Sequence, residues 1–204
     1  MSGPVTMLLL RHGRTELNAS GRLRGRVDAP LDDVGRRQAA ALGELFATVS
    51  FAAIVSSPLS RASDTASAVA AAHPGVTVEV EPDLADRDWG EWAGWSEAEV
   101  VARFGALDAA PGVEPAEVLG TRAVRALERL AGRAKDRPVL AVAHDAVNRA
   151  ALAGLAGVTG SPDQPTGCWN ELVREAGDGG SWMARVVGAV PGDGRLPLAG
   201  AARG

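Results

Sequence analysis

Cysteine is almost absent. The lone Cys168 cannot form an intramolecular disulfide and excludes a cysteine-rich metal cage, so a reducing, cytoplasmic setting is expected. Long apolar runs are missing too. The longest near the start, Thr6 to Leu10, is far too short to span a bilayer and lacks signal-peptide flanks, so no membrane association is expected. Lysine is reduced to Lys135, which leaves arginine as 20 of the 21 basic residues. The planar guanidinium suits bidentate recognition of phosphate or carboxylate. Positive charge is not in excess: 25 acids against 21 bases give a net charge of −4, which argues against a dedicated nucleic-acid binder. Repeats at solenoid periods and linkers that would divide the chain are also missing.

What is present describes a folding chain. Its 204 residues are ample for one continuous core, and 46% hydrophobic with 23% charged residues matches ordinary globular domains. Apolar runs of strand length alternate with longer Ala-rich segments, the pattern of an α/β protein whose parallel or mixed sheet is covered by helices. Strands are predicted over Met7–Leu10, Ala52–Val55, Val76–Val80 and Val139–Val142, with Glu171–Arg174 and Trp182–Val187 as weaker edge strands. Helices are predicted over Asp33–Val49, Leu59–Ala72, Pro115–Ala134 and Ala146–Ala156, and the Ser96 to Glu99 capping box opens a short one toward Phe104. Residues 83–112, holding Trp89, Trp92 and Trp95 among glycines, read as an inserted lid or wall. Residues 191–204 are Gly, Pro and Ala with little to bury and read as a flexible tail, leaving 1–190 as a single domain.

Three polar segments follow apolar strands, where α/β proteins build their sites. In the first, Arg11, His12 and Arg14 lie within four residues, followed by Thr15, Asn18, Arg22, Arg24 and Arg26. Such a cluster suits an anion, and a histidine between arginines is held neutral and therefore nucleophilic. In the second, Ile54 to Ala66, Pro58 suits a first helical turn, Ser56 or Ser57 can cap it, and Arg61 lies near the helix N-terminus. In the third, Pro138 to Ala150, His144 repeats the placement of His12. Two histidines and two arginines at strand ends suit a phosphoryl group: the arginines neutralise its oxygens, one imidazole attacks and the other donates a hydrogen bond. Metal-ligand spacing is missing around both histidines, and His73 stands apart before Pro74, so no metal and no cofactor are expected.

These residues resemble the histidine phosphatase superfamily, whose fold is shared by cofactor-dependent phosphoglycerate mutases and many phosphomonoesterases. The resemblance runs from Met7 to about Val190. Arg11 to Thr15 is similar to the signature Arg-His-Gly-x-Thr, and Asn18, Gly25, Pro30, Leu31, Gly35 and Gln38 fall where the extended motif places them. Ser56 to Ala66 is similar to the second motif, and His144 to the second histidine. The resemblance implies a phosphoglycerate mutase-like three-layer α/β/α sandwich with a mostly parallel central sheet. It makes His12 the nucleophile that becomes phosphohistidine, with Arg11, Arg61 and His144 cradling the phosphate and Asn18 adding a contact; Arg24 joins the substrate-binding candidates. The family's proton donor is a glutamate, and here the corresponding position is Asp86, with Asp88 and Glu91 as nearby carboxylates. A second departure is Asp145 after the second histidine, where the family has glycine; its side chain is expected to cap the helix from Ala146.

The expected activity is therefore metal-independent hydrolysis of a small-molecule phosphomonoester, of the histidine acid phosphatase type. A phosphoglycerate mutase would need a bisphosphate primer and resembles longer chains with the usual glutamate. A non-catalytic phosphate-binding module is the reading from another class, and a homodimer is compatible with the sequence.

Overall fold

The computed structural model describes residues 3–176 and 180–198. In chain order the elements are β1 (Val5–Arg11), α1 (Glu16–Ala19), α2 (Asp33–Phe46), β2 (Ala53–Ser56), α3 (Ser60–Ala70), β3 (Val78–Val80), α4 (Glu97–Phe104), α5 (Ala116–Ala131), β4 (Val139–Ala143), α6 (Asp145–Ala156), β5 (Trp169–Arg174) and β6 (Trp182–Ala189). The six strands form one sheet in the order β3-β2-β4-β1-β5-β6. The first four run parallel, whereas β5 and β6 are antiparallel additions at one side.

Period-two alternation divides the strand residues between two cores. Met7, Leu9, Ala141 and Ala143 bury against Leu119, Leu127, Val147 and Leu152 of α5 and α6. Leu8, Leu10, Ile54, Leu140 and Val142 bury against Leu42, Phe46, Ala62 and Val69 of α2 and α3. The result is the three-layer α/β/α sandwich, with β4 apolar throughout and β1 and β2 apolar over Met7–Leu10 and Ala53–Val55, because both faces are covered. A third, smaller cluster of Trp92, Val100 and Ala110 packs with Leu23, Phe104, Leu107 and Val113. Residues 83–112 thus share a small core with Leu23 and Val113.

Three sequence expectations change. β5 lies inside the sheet between β1 and β6 instead of at an edge. Its two polar residues near the start are buried: Asn170 donates to the Leu9 carbonyl at 2.8 Å, and Glu171 accepts the Leu198 amide at 2.8 Å. β3 is confined to three half-buried or exposed residues at one edge, and β6 forms the other. The helix after β4 begins at Asp145, not Ala146, with His144 as its N-cap and no side-chain cap. Of the tail, residues 199–204 lie outside the described residues. Within 191–198, Asp193 accepts amide hydrogen bonds from Val190 and Arg195.

Candidate active site

The site begins where β1 ends. Arg11 is the last strand residue, and His12 continues the ladder by donating its amide to the Ala143 carbonyl at 3.1 Å while its own carbonyl accepts from Gly167 at 3.0 Å. This pinning is possible because Gly13 packs directly on Gly35 at the start of α2: a Cβ on either would collide with the other segment's backbone. Thr15 and Asn18 form a capping box for α1, with Asn18 Oδ1 accepting the Thr15 amide at 3.0 Å. Of the candidates, Asn18 is the one whose side chain is committed to local structure through that oxygen.

His12 is fully buried, and its Nδ1 lies 2.6 Å from the Gly13 carbonyl. A carbonyl can only accept, so Nδ1 carries the proton and Nε2 keeps its lone pair. That Nε2 is buried with no protein partner. Burial, then His144, Arg61 and Arg11, push the imidazole well below its ordinary value, so it is neutral at pH 7. His144, on the end of β4, has its ring centroid 5.1 Å from that of His12. Its Nε2 lies 2.7 Å from Ser57 Oγ, and its Nδ1 faces Asp86 Oδ2 at 3.8 Å. It too is held neutral, first by burial and then by Arg61, Arg24 and Arg11. Ser57 therefore serves His144 and accepts the Leu59 amide at 3.3 Å, while α3 itself starts without a side-chain cap.

Arg61, the second residue of α3, is fully buried. It donates to the Val27 and Gly25 carbonyls, each at 2.8 Å, and to Asp86 Oδ2 at 3.2 Å. Arg11 donates to the Gln164 carbonyl and stands 4.0 Å from Asp145. Arg24 lies with Arg11, Asp86, Trp89 and Asp145 around a cleft of about 980 Å³. Burial lowers the pKa of all three guanidiniums against the pull of Asp86 or Asp145, a cost that a bound anion would offset. Among the described residues nine buried side-chain polar atoms lack a partner, and five of them belong to this cluster: Arg11 Nε, His12 Nε2, Arg24 Nε, Arg61 Nε and His144 Nδ1. Buried polar atoms are normally satisfied, so this concentration is suited to holding an anion.

Among the three carboxylates, Asp86 is the buried one and meets Arg61 and His144. Asp88 faces outward to Arg26 at 3.5 Å, and Glu91 is exposed. Asp145 turns from the histidines to Arg149 Nε at 2.8 Å, so the departure from glycine is absorbed by an ion pair instead of a cap. Trp89 reaches the cleft, with Arg87 stacked on its ring at 4.7 Å, whereas Trp92 is core and Trp95 packs edge-on against it. His73 packs against Phe51, away from the cluster. Among the described residues no group of three or more His, Cys, Asp or Glu side chains could hold a metal ion, and no helix is long and apolar enough to cross a membrane.

Sequence reasoning gave no place to Arg122 and Glu114, which hold the loop carrying Asp86. The available signal was an arginine three residues after Leu119, on the apolar stripe of α5.

Comparison with known proteins agrees with this geometry. The sequence pattern of the histidine phosphatase superfamily (branch 1) matches residues 7–180. The chain belongs to that family. A glucosyl-3-phosphoglycerate phosphatase from Mycolicibacterium vanbaalenii is 32% identical over 204 residues, covering 92% of this chain and 86% of that protein. A bifunctional protein from Mycobacterium tuberculosis is 46% identical over 101 residues, which are 49% of this chain and 28% of that longer protein. The native structure of a mycobacterial glucosyl-3-phosphoglycerate phosphatase superposes with a TM-score of 0.80 at 28% identity, covering 91% of this chain and 99% of that one.

Proposed function

We propose that this histidine phosphatase-family chain is a metal-independent phosphomonoester hydrolase, working through phosphohistidine on a small phosphorylated metabolite. The observation that carries the proposal is the neutral His12 with a bare, buried Nε2, set among unpartnered donors of Arg11, Arg24, Arg61 and His144. The relatives named as phosphatases support it. The wide cleft, walled by Trp89, leaves room for an organic leaving group beyond the phosphate. A cytoplasmic location belongs to the same reading, since phosphorylated metabolites are retained there.

In the first step the Nε2 lone pair of His12 forms an N–P bond as the ester P–O bond breaks in line. The departing oxygen takes the proton of the Asp86 carboxyl. Arg11, Arg24 and Arg61 meet the equatorial oxygens as they gain charge, His144 adds its Nδ1–H, and Asn18 contributes its amide nitrogen. Water then attacks phosphorus and gives its proton to the Asp86 carboxylate. The N–P bond breaks, inorganic phosphate leaves and His12 returns as neutral imidazole.

The test is phosphate release from p-nitrophenyl phosphate at pH 5 to 8 with a chelator present. Turnover by the wild type that disappears in His12→Ala, together with an acid-labile phosphoenzyme absent from that variant, is expected. Absence of turnover on a panel of phosphomonoesters would overturn the hydrolase, and a primer-dependent mutase assay would then decide what replaces it.

A further inference from the structure

Arg122 lies on α5 outside the cleft, and every N–H of its guanidinium is engaged. Nε and Nη2 donate to the two carboxylate oxygens of Glu114 at 2.7 and 2.9 Å. Nη1 donates to the carbonyls of Asp83 and Ala85, both at 2.7 Å, and Nη2 to that of Asp86 at 3.1 Å. A guanidinium has five N–H donors, so the set is complete. Glu114 extends the grip past the carboxylate of interest: its Oε2 accepts the Asp88 amide at 3.1 Å, and its carbonyl accepts Arg87 Nε at 2.8 Å. The backbone is thus held on both sides of Asp86. The pair is largely buried, with 15% and 8% of the two side chains exposed. Burial acts against the Glu114 carboxylate, yet its bonds to Arg122 and Asp88 outweigh that and hold its carboxyl below the usual range.

We infer that Arg122, braced by Glu114, is the positioning residue that sets Asp86 for proton transfer; the inference rests on the reading of Asp86 as the proton donor. An aspartate has one methylene fewer than the family's glutamate, so the place of its carboxyl is decided more by the backbone than by side-chain reach. The five-donor clamp fixes that backbone, and the carboxyl then meets Arg61 at 3.2 Å and faces His144 at 3.8 Å. Misplacing a reacting group by about 1 Å costs on the order of 10²-fold in rate.

The dependence on the leaving group separates this role from a merely structural one. A nitrophenolate departs without a proton, whereas an alkoxide needs one. With kcat/KM, which reports the steps through P–O cleavage, Arg122→Lys and Arg122→Met are expected to lose about 10²-fold on glycerol 3-phosphate and under about tenfold on p-nitrophenyl phosphate. Asp86→Asn gives the same pattern more strongly. Lysine keeps a charge beside Glu114 but not the planar fork, so Arg122→Lys supplies the measurement if Arg122→Met does not fold. Equal losses on both substrates, or no loss, beside a discriminating Asp86→Asn would overturn the positioning role and leave the donor standing. An Asp86→Asn variant that does not discriminate would overturn the donor assignment and this inference with it.

Discussion

Arg61 joins the two halves of the site's electrostatics, because one side chain holds the Gly25 and Val27 carbonyls, meets Asp86 and keeps Nε free in the anion cluster. A lysine cannot reproduce that fork. Arg61→Lys is therefore expected to lower kcat/KM about 10²- to 10³-fold, the range for losing a preorganised donor to developing charge, as read by steady-state kinetics with p-nitrophenyl phosphate. Asp86 gives a sharper test, since replacing it with the family's glutamate would ordinarily look conservative. With Asp83, Ala85 and Asp86 carbonyls tied to Arg122, the added methylene must be taken up between Arg61 and His144. Asp86→Glu should thus lose about tenfold or more in kcat/KM on an alkyl phosphate; a gain would mean that the loop yields.

Elements meet most tightly at the seam between the segment after β1 and the start of α2. A methyl group on Gly13 would enter the Gly35 carbonyl, so Gly13→Ala is expected to destabilise by about 1–3 kcal/mol and to displace His12, with loss of activity as well as of Tm. Gly120, inside α5, has nothing within 4 Å of the place its Cβ would take. Gly120→Ala should stabilise by about 1 kcal/mol, raising Tm by about 2–4 °C in thermal unfolding. The same contrast explains what was legible in the sequence. β1, β2 and β4 are readable because both faces are covered and each carries an unbroken apolar run, Met7–Leu10, Ala53–Val55 and Val139–Ala143. The interior place of β5 and its start at Trp169 are not legible, because Asn170 and Glu171 are polar and find their partners, at Leu9 and Leu198, only in three dimensions. Arg11, His12, Arg61 and His144 were visible because each sits in a contiguous motif at a strand end. Arg122 had no such marker: the three carbonyls it holds lie 36 to 39 residues away along the chain.

The whole molecule concentrates cationic groups in its interior although its net charge is −4. Arg11, Arg24 and Arg61 surround two imidazoles that burial holds well below their ordinary value of 6.5. In the unfolded chain those histidines take up protons as pH falls through about 6.5, while in the folded chain they stay neutral, so the unfolded state binds more protons and folding weakens. Stability should be level above about pH 7 and decline below it, by up to about 1.4 kcal/mol per histidine for each pH unit, until the folded imidazoles themselves protonate. The carboxylates held below their usual range, among them Asp32 and Glu114, remain ionised through this window and add their own loss only at lower pH. Thermal melts from pH 8 to 5 should therefore show a decline for the wild type that is reduced in His12→Asn, which carries no titrating group at that position. Saturating inorganic phosphate opposes the decline twice: it binds only the folded state, adding about 2.7 kcal/mol at a hundred times its Kd, and its negative charge favours protonated imidazoles beside it. A Tm that stays flat between pH 7.5 and 5.5 without phosphate would show that these two histidines titrate in the folded protein as they do in the unfolded chain, and a Tm that rises toward low pH would show that they are charged in the fold, leaving His12 without the lone pair that a nucleophile needs.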